Sequence, residues 1–217
     1  MRSLLLAALT ATALAVPAQA ATTTPVILIH GYNSSTATWN PLITRLKAAG
    51  YDSADIHTFG YNFRQSNTTT AAALASYLEN VRKDHGGTRV DLVGHSMGAV
   101  IARYYARNLG GTGAVDDLIS LAAPHHGTHM LSICRFHTSC REMLPGSTFL
   151  RALNSGDETP GPIDYRTFYS KKCDLIVVPY TSALLDGAQN TNAGCLGHTE
   201  FRLVPSVAEQ IIKELKD

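Results

Sequence analysis

The pentapeptide Gly94-His95-Ser96-Met97-Gly98 sets a serine hydroxyl between two glycines, in the pattern G-x-S-x-G. The apolar run Arg89-Val90-Asp91-Leu92-Val93-Gly94 leads into it, and a helical stretch from Met97 to Leu109, ended by Gly110-Gly111, leaves it. On such a strand–turn–helix elbow the serine sits at the carboxyl edge of a sheet, above the amino end of the helix. The glycines permit the tight turn and the close approach of helix to strand. The chemistry this suits is nucleophilic attack on an acyl carbonyl.

A serine hydroxyl is a weak nucleophile alone. It needs a base within hydrogen-bond reach and a third group to orient that base. On an elbow of this kind the partners follow in the order serine, acid, histidine. His125, His126, His129, His137 and His198 all follow Ser96, but only His198 lies in a loop between the last strand and the last helix. Asp174, after the strand candidate Tyr165 to Tyr169, is the expected acid. Asp186 is its rival, expected within or after a helix between the last two strands. Acyl transfer also needs donors for the developing oxyanion. The main-chain amides of Met97, just after the serine, and of Tyr32, in the loop His30-Gly31-Tyr32-Asn33, are the expected pair.

The elements that must position these groups alternate along the chain. Pro25-Val26-Ile27-Leu28-Ile29-His30-Gly31 reads as a strand buried on both faces. Asn40-Pro41 opens a helix, with Asn40 as side-chain cap, Leu42, Leu46 and Ala49 inward, and Gly50 as its stop. Asp55 to Phe59 is a short strand; Thr70 to Lys83 is a helix with Leu74, Leu78 and Val81 at helical spacing. Asp117 to Ala122 is a strand, Thr191 to Gly194 a weaker one, and a helix from Ser206 carries Val207, Ile211 and Leu215. This order predicts one α/β domain, a mostly parallel sheet with helices on both faces.

Composition sets the context. With 45% hydrophobic and 16% charged residues in 217, the chain is not of a disordered type. Met1 to Ala20 has the form of a secretory signal peptide: Arg2, an apolar run from Leu4 to Val16, and Ala18-Gln19-Ala20 as the cleavage site. The expected mature chain, 21–217, is a single secreted, soluble domain, and a monomer is expected. Of 18 Lys and Arg, Arg2 would leave with the leader, so 17 remain against 17 Asp and Glu. Nothing in that balance attracts nucleic acid over a distance. Four cysteines in a secreted chain suggest two disulfides. Of three connectivities, Cys134–Cys140 with Cys173–Cys195 is favoured, since both loops are local and uncrossed.

The segment from about Gly127 to Pro162 is irregular, with a short helix candidate in Pro145 to Asn154. Its Met130, Leu131, Ile133, Phe136, Met143, Leu144, Phe149 and Leu150 suit either a small cap facing acyl chains or a lipid–water interface, or a satellite core. His125, His126 and His129 invite a metal, but Pro124 and Gly127 oppose a helix there and no carboxylate has ligand spacing. No metal or cofactor is expected, and His125 and His126 are expected at the cleft floor beside Ser96.

These residues together resemble a known family. Val26-Ile27-Leu28-Ile29-His30-Gly31, Val93-Gly94-His95-Ser96-Met97-Gly98, Tyr169 to Val177, Leu185-Asp186-Gly187-Ala188-Gln189-Asn190 and Gly197-His198 are similar to small secreted bacterial lipases of the α/β-hydrolase fold. The nearest type is the Bacillus lipase A group, the class-2 lipases, in an actinobacterial form. The resemblance implies Ser96, Asp174 and His198 as triad, Tyr32 and Met97 as oxyanion donors, and hydrolysis of lipid or small carboxylic esters without metal or cofactor. Ala99 stands where many relatives have glycine, and Tyr32 where the Bacillus type has an aliphatic residue, which narrows the expected acyl entrance. The 127–162 segment is longer than the minimal lipase needs. Phospholipase A1 and acyltransferase use the same triad, and a non-catalytic binding module is the reading from another class.

Overall fold

Four consecutive apolar residues make β1 (Val26–Ile29), and all four are fully buried. Only a strand covered on both faces hides every side chain. Val26 and Leu28 pack on one side with Leu42 and Leu46, while Ile27 and Ile29 pack on the other with Leu74 and Leu78. In this computed structural model, which describes Thr24–Lys216, β1 is one of six parallel strands. The others are β2 (Ile56–Phe59), β3 (Val90–His95), β4 (Val115–Leu121), β5 (Asp164–Tyr169) and β6 (Gln189–Asn192). The leader expected in residues 1–20 lies outside the described residues.

The sheet order is β2-β1-β3-β4-β5-β6. The chain leaves β1 toward one edge and returns to place β3 on the other flank, with Val26 beside Ile56 on one side and Asp91 on the other. Loops leaving the carboxyl ends of β1 and β3 therefore turn away from each other and open a crevice, the place where open α/β sheets bind ligands. Helices α1 (Asn40–Ala48) and α6 (Pro205–Glu214) cover one face, while α2 (Asn67–Asp84) and α3 (Met97–Asn108) cover the other. No helix among the described residues is long and apolar enough to cross a membrane.

Three local expectations are corrected. Asn40 is not a side-chain cap: a tight turn over Thr36–Trp39 runs straight into α1, and the Asn40 amide already donates to Ala37. Helix α2 begins at Asn67 rather than Thr70. Its first turn is capped by Ser66 Oγ, which accepts from Thr68 N, and by Glu142, whose carboxylate accepts from Asn67 N at 2.6 Å. That acid lies far along the chain, where local pattern gives no hint of it. Between β5 and β6 there is no α-helix, only loop and a short turn at Tyr180–Ala183, and β6 ends two residues earlier than expected.

The segment after β4 divides in two. Its later part holds α4 (Thr138–Glu142) and α5 (Thr148–Leu153), with Phe149, Leu150 and Leu153 buried against Ala99 and Val100 of α3. Arg103, fully buried on α3, donates to Glu158 O, Leu153 O and Asn154 Oδ1, and Arg107 donates to Asp157 O and Ser155 O. Burial pushes the Arg103 guanidinium down to about 10. The earlier part, from His129 to His137, turns Ile133 and Phe136 outward, 81% and 71% exposed. The later half is thus a satellite core, while the earlier half carries exposed apolar side chains.

At the opposite edge of the sheet the core holds a carboxyl pair. Asp91 on β3 is buried and accepts from the Asp117 amide at 3.2 Å. Asp117 is paired with Arg166, which also reaches Glu214 of α6. Burial, with the charge of Asp117 beside it, raises the Asp91 carboxyl to about 8. An unfolded aspartate loses its proton near about 4, so between those values the native state holds the extra proton and stability falls as pH rises. Asp91→Asn keeps the acceptor for the Asp117 amide. Urea unfolding of this variant is expected to show a flatter decline of stability from about pH 5 to 8, by up to about 1.4 kcal/mol per pH unit. Equal pH slopes in variant and wild type would contradict this assignment.

Candidate active site

Ser96 has φ 55° and ψ −125°, a backbone conformation that non-glycine residues seldom adopt. It is fixed from both sides. The Ser96 amide donates to Leu121 O on β4 at 2.8 Å, and the Ala99 amide donates to Ser96 O at 3.1 Å. The flanking glycines are required by space. A Cβ at Gly94 would lie 2.4 Å from Ala99 Cα, and one at Gly98 would lie 2.3 Å from Ile29 O. The two motif glycines therefore let α3 rest on β3 and β1 and bring the turn to the crevice.

The structure brings Ser96, His198 and Asp174 together. Ser96 Oγ is 3.0 Å from His198 Nε2, and His198 Nδ1 is 2.9 Å from Asp174 Oδ2. A carboxylate only accepts, so Nδ1 carries the proton and Nε2 is left as acceptor for the serine hydroxyl. The other carboxylate oxygen of Asp174 accepts from the amides of Ile176 at 2.8 Å and Val177 at 3.1 Å. Buried among these donors, the acid side chain is held in one orientation. Asp186 is exposed on a loop, its amide bonded to Glu158 Oε2, and takes no part in this cluster.

The acid and histidine loops are joined to each other. Cys173 and Cys195 are disulfide-bonded, with Cα atoms 5.0 Å apart. Beneath them Ser170 Oγ accepts from the amides of Cys173 and Leu196, each at 3.2 Å. Glu200 closes the turn after His198 by accepting from Gly197 N at 2.5 Å. Ser170 and Glu200 were not among the sequence candidates; each acts on a main-chain amide, and residue type alone does not announce that.

The loop after β1 lies against Ser96. A Cβ at Gly31 would be 3.0 Å from Ser96 Cβ, so this position must be small. Tyr61 donates to His30 O at 2.6 Å, and its ring stacks on His30 at 4.3 Å. The Tyr32 hydroxyl pairs with His137 Nδ1 at 2.8 Å, and its ring meets Phe63 edge-on at 5.1 Å. His137 lies inside the loop closed by Cys134–Cys140, whose Cα atoms are 5.8 Å apart. Met97 is the first residue of α3, so its amide has no partner within the helix.

The other histidines are placed differently from one another. His125 is fully buried, whereas His126 turns outward to Glu158 at 2.7 Å and does not form a cleft floor. Among the described residues no three His, Cys, Asp or Glu are grouped as metal ligands. On the loop after Asp174, Leu175 is 69% and Val178 47% exposed.

A parallel sheet crossed at a topological switch, with a strained serine elbow and a histidine and acid on later loops, defines an α/β-hydrolase fold. The class 2 lipase family model matches residues 23–193, and the chain belongs to that family. It is 27% identical over 122 residues to a triacylglycerol lipase of Burkholderia plantarii, a match covering 54% of this chain and 34% of that relative. The chain thus spans about a third of the length of this curated relative. In fold it is similar to the mature lipase BlEst2 of Bacillus licheniformis, with TM-score 0.74 at 19% identity over 88% of this chain and 92% of that one. Lipase B of Aspergillus fumigatus is similar too, with TM-score 0.74 at 19% identity over 90% of this chain and 53% of that one. The comparisons do not support an actinobacterial origin.

The Cys173–Cys195 bridge closes a loop of 22 residues, worth about 3 kcal/mol by chain entropy. It joins the Asp174 and His198 loops at their bases. In a titration with a thiol reductant, hydrolysis of an activated ester is expected to fall before far-ultraviolet circular dichroism changes. Simultaneous loss of both would show that the bridge acts on global stability alone.

Proposed function

We propose that the chain is a secreted serine ester hydrolase, a lipase or lipid-preferring carboxylesterase, working through Ser96, His198 and Asp174. The observation that carries this is the relay from Asp174 Oδ2 through the His198 ring to Ser96 Oγ, with spacings of 2.9 and 3.0 Å.

His198 Nε2 takes the hydroxyl proton as Ser96 Oγ attacks the ester carbonyl. Asp174 stabilises the imidazolium that results and keeps the ring in place. Negative charge on the carbonyl oxygen is met by the amides of Met97 and Tyr32. His198 then gives its proton to the departing alcohol, which leaves the acyl group on Ser96. Water, activated by the same imidazole, releases the acid and restores the serine.

A lipid substrate is supported by family membership and by the apolar rim of Met130, Ile133, Phe136, Leu175 and Val178. These side chains lie on the segment after β4 and on the acid loop, where an ester in a lipid–water interface meets the enzyme. Secretion is supported by the two disulfides and by the leader-like sequence of Met1 to Ala20.

The test is a ladder of p-nitrophenyl esters from acetate to palmitate, hydrolysed by wild type and by Ser96→Ala. Wild type is expected to turn over the series with its maximum at medium or long chains. Ser96→Ala is expected to lose about 10⁴-fold or more in kcat. A maximum at acetate or butyrate would make the protein a plain esterase. No turnover by wild type, or an undiminished rate in Ser96→Ala, would overturn the proposal.

A further inference from the structure

The residue between Gly94 and the nucleophile is a histidine whose imidazole is buried. Its Nε2 lies 2.8 Å from the main-chain oxygen of His198. A carbonyl only accepts, so this nitrogen carries the proton and donates. Nδ1 is then the bare nitrogen. It has no hydrogen-bond partner among the described residues, and a Cβ at Gly31 would stand 3.2 Å from it. The ring's single polar engagement in the structure is therefore the bond to His198.

That bond joins two elements remote in the chain. His95 ends β3 and is covalently next to Ser96, while His198 stands on the loop between β6 and α6. The ring of His198 is aimed by its own bonds to Asp174 and Ser96, but those bonds form only if its main chain is at the right distance from β3. Neighbouring anchors, Leu196 N to Ser170 and Gly197 N to Glu200, tie the loop to the acid loop and to itself, not to the nucleophile's strand.

We propose that His95 is a positioning residue: as a neutral Nε2–H donor it sets the spacing between the His198 main chain and Ser96. The inference rests on the triad proposed above.

The ring must also stay uncharged. Its centroid is 4.8 Å from that of His198, which becomes a cation when Ser96 attacks. A second cation at that distance would oppose the imidazolium. Burial, with His198, Arg202 and His30 nearby, holds His95 well below the usual histidine range. A neutral donor is thus what both the carbonyl and the transition state require.

Two substitutions separate this role from simple packing. His95→Gln retains an N–H at the position of Nε2; His95→Met fills similar space without a donor. Assayed on the preferred ester, His95→Met is expected to lose at least about tenfold in kcat, as a misplaced reacting group does, with KM within about twofold. His95→Gln is expected to stay within about threefold of wild type. Equal activity of the two variants, at comparable folded fraction by circular dichroism, would overturn the inference. Ser96→Ala, run beside them, isolates the triad reading: if it stays active the triad falls, and if it is dead while His95→Met matches wild type, only the positioning role falls. Should His95→Met fail to fold, nitrogen NMR of the wild-type imidazole decides. A neutral Nε2–H ring from about pH 5 to 8 supports the role, and an Nδ1–H or cationic ring contradicts it.

Discussion

The structure depends on one strained backbone position. Ser96 sits at φ 55°, and main-chain bonds on both sides and tightly packed neighbours hold it there. Gly94 and Gly98 admit no side chain because Ala99 and Ile29 occupy the space where a Cβ would go. Helix α3 is thereby pressed onto β3 and β1, and the Met97 amide at its start has no partner within the helix. Strain of this kind persists only where neighbours over-determine it. Here the main-chain bonds from Leu121 and Ala99 do so. The hydroxyl is presented at the switch in strand order, where the loop after β1 can face it.

The second requirement is a buried carboxyl held against the His198 ring. Asp174 is taken out of water but satisfied by two amides and the His198 ring. The loops carrying Asp174 and His198 are stapled by Cys173–Cys195 and by Ser170, so their relative position does not rest on the edge of the sheet alone. That matters because β6 is a short, mostly exposed edge strand and a poor foundation by itself. Outside this rigid centre, Arg103 and Arg107 lock the stretch from Leu153 to Glu158 onto α3. The turn from His129 to His137 is tied to it at fewer points, chiefly Thr128 on the Ile176 carbonyl and His137 on Tyr32. Apolar side chains on this turn, Met130, Ile133 and Phe136, are exposed.

Much of this was legible in the residues. Strand β1 reads as an unbroken apolar run and is buried on both faces, β3 and β4 read as mainly apolar despite their aspartates, and the elbow announces itself through two glycines whose necessity is steric. The order of partners along the chain singled out His198, and the uncrossed cysteine pairs matched the pairs found in space. What escaped were contacts between distant segments. Glu142 caps α2 from across the molecule, Ser170 accepts from two loops, and His95 bonds to a carbonyl that its own type does not predict. Asn40 was misread because a preceding turn had already started the helix. The loop between β5 and β6 has too few apolar positions to show whether it is helical, so Asp186 could be set aside only by its exposed place on that loop.

The central claim is that Ser96 is a nucleophile activated by His198. Reaction with a p-nitrophenyl alkylphosphonate, followed by peptide mapping in the mass spectrometer, tests it most directly. The account predicts a single covalent adduct on Ser96, absent from Ser96→Ala and formed far more slowly in His198→Ala. An adduct on another residue, or labelling of Ser96 at an unchanged rate without His198, would contradict it.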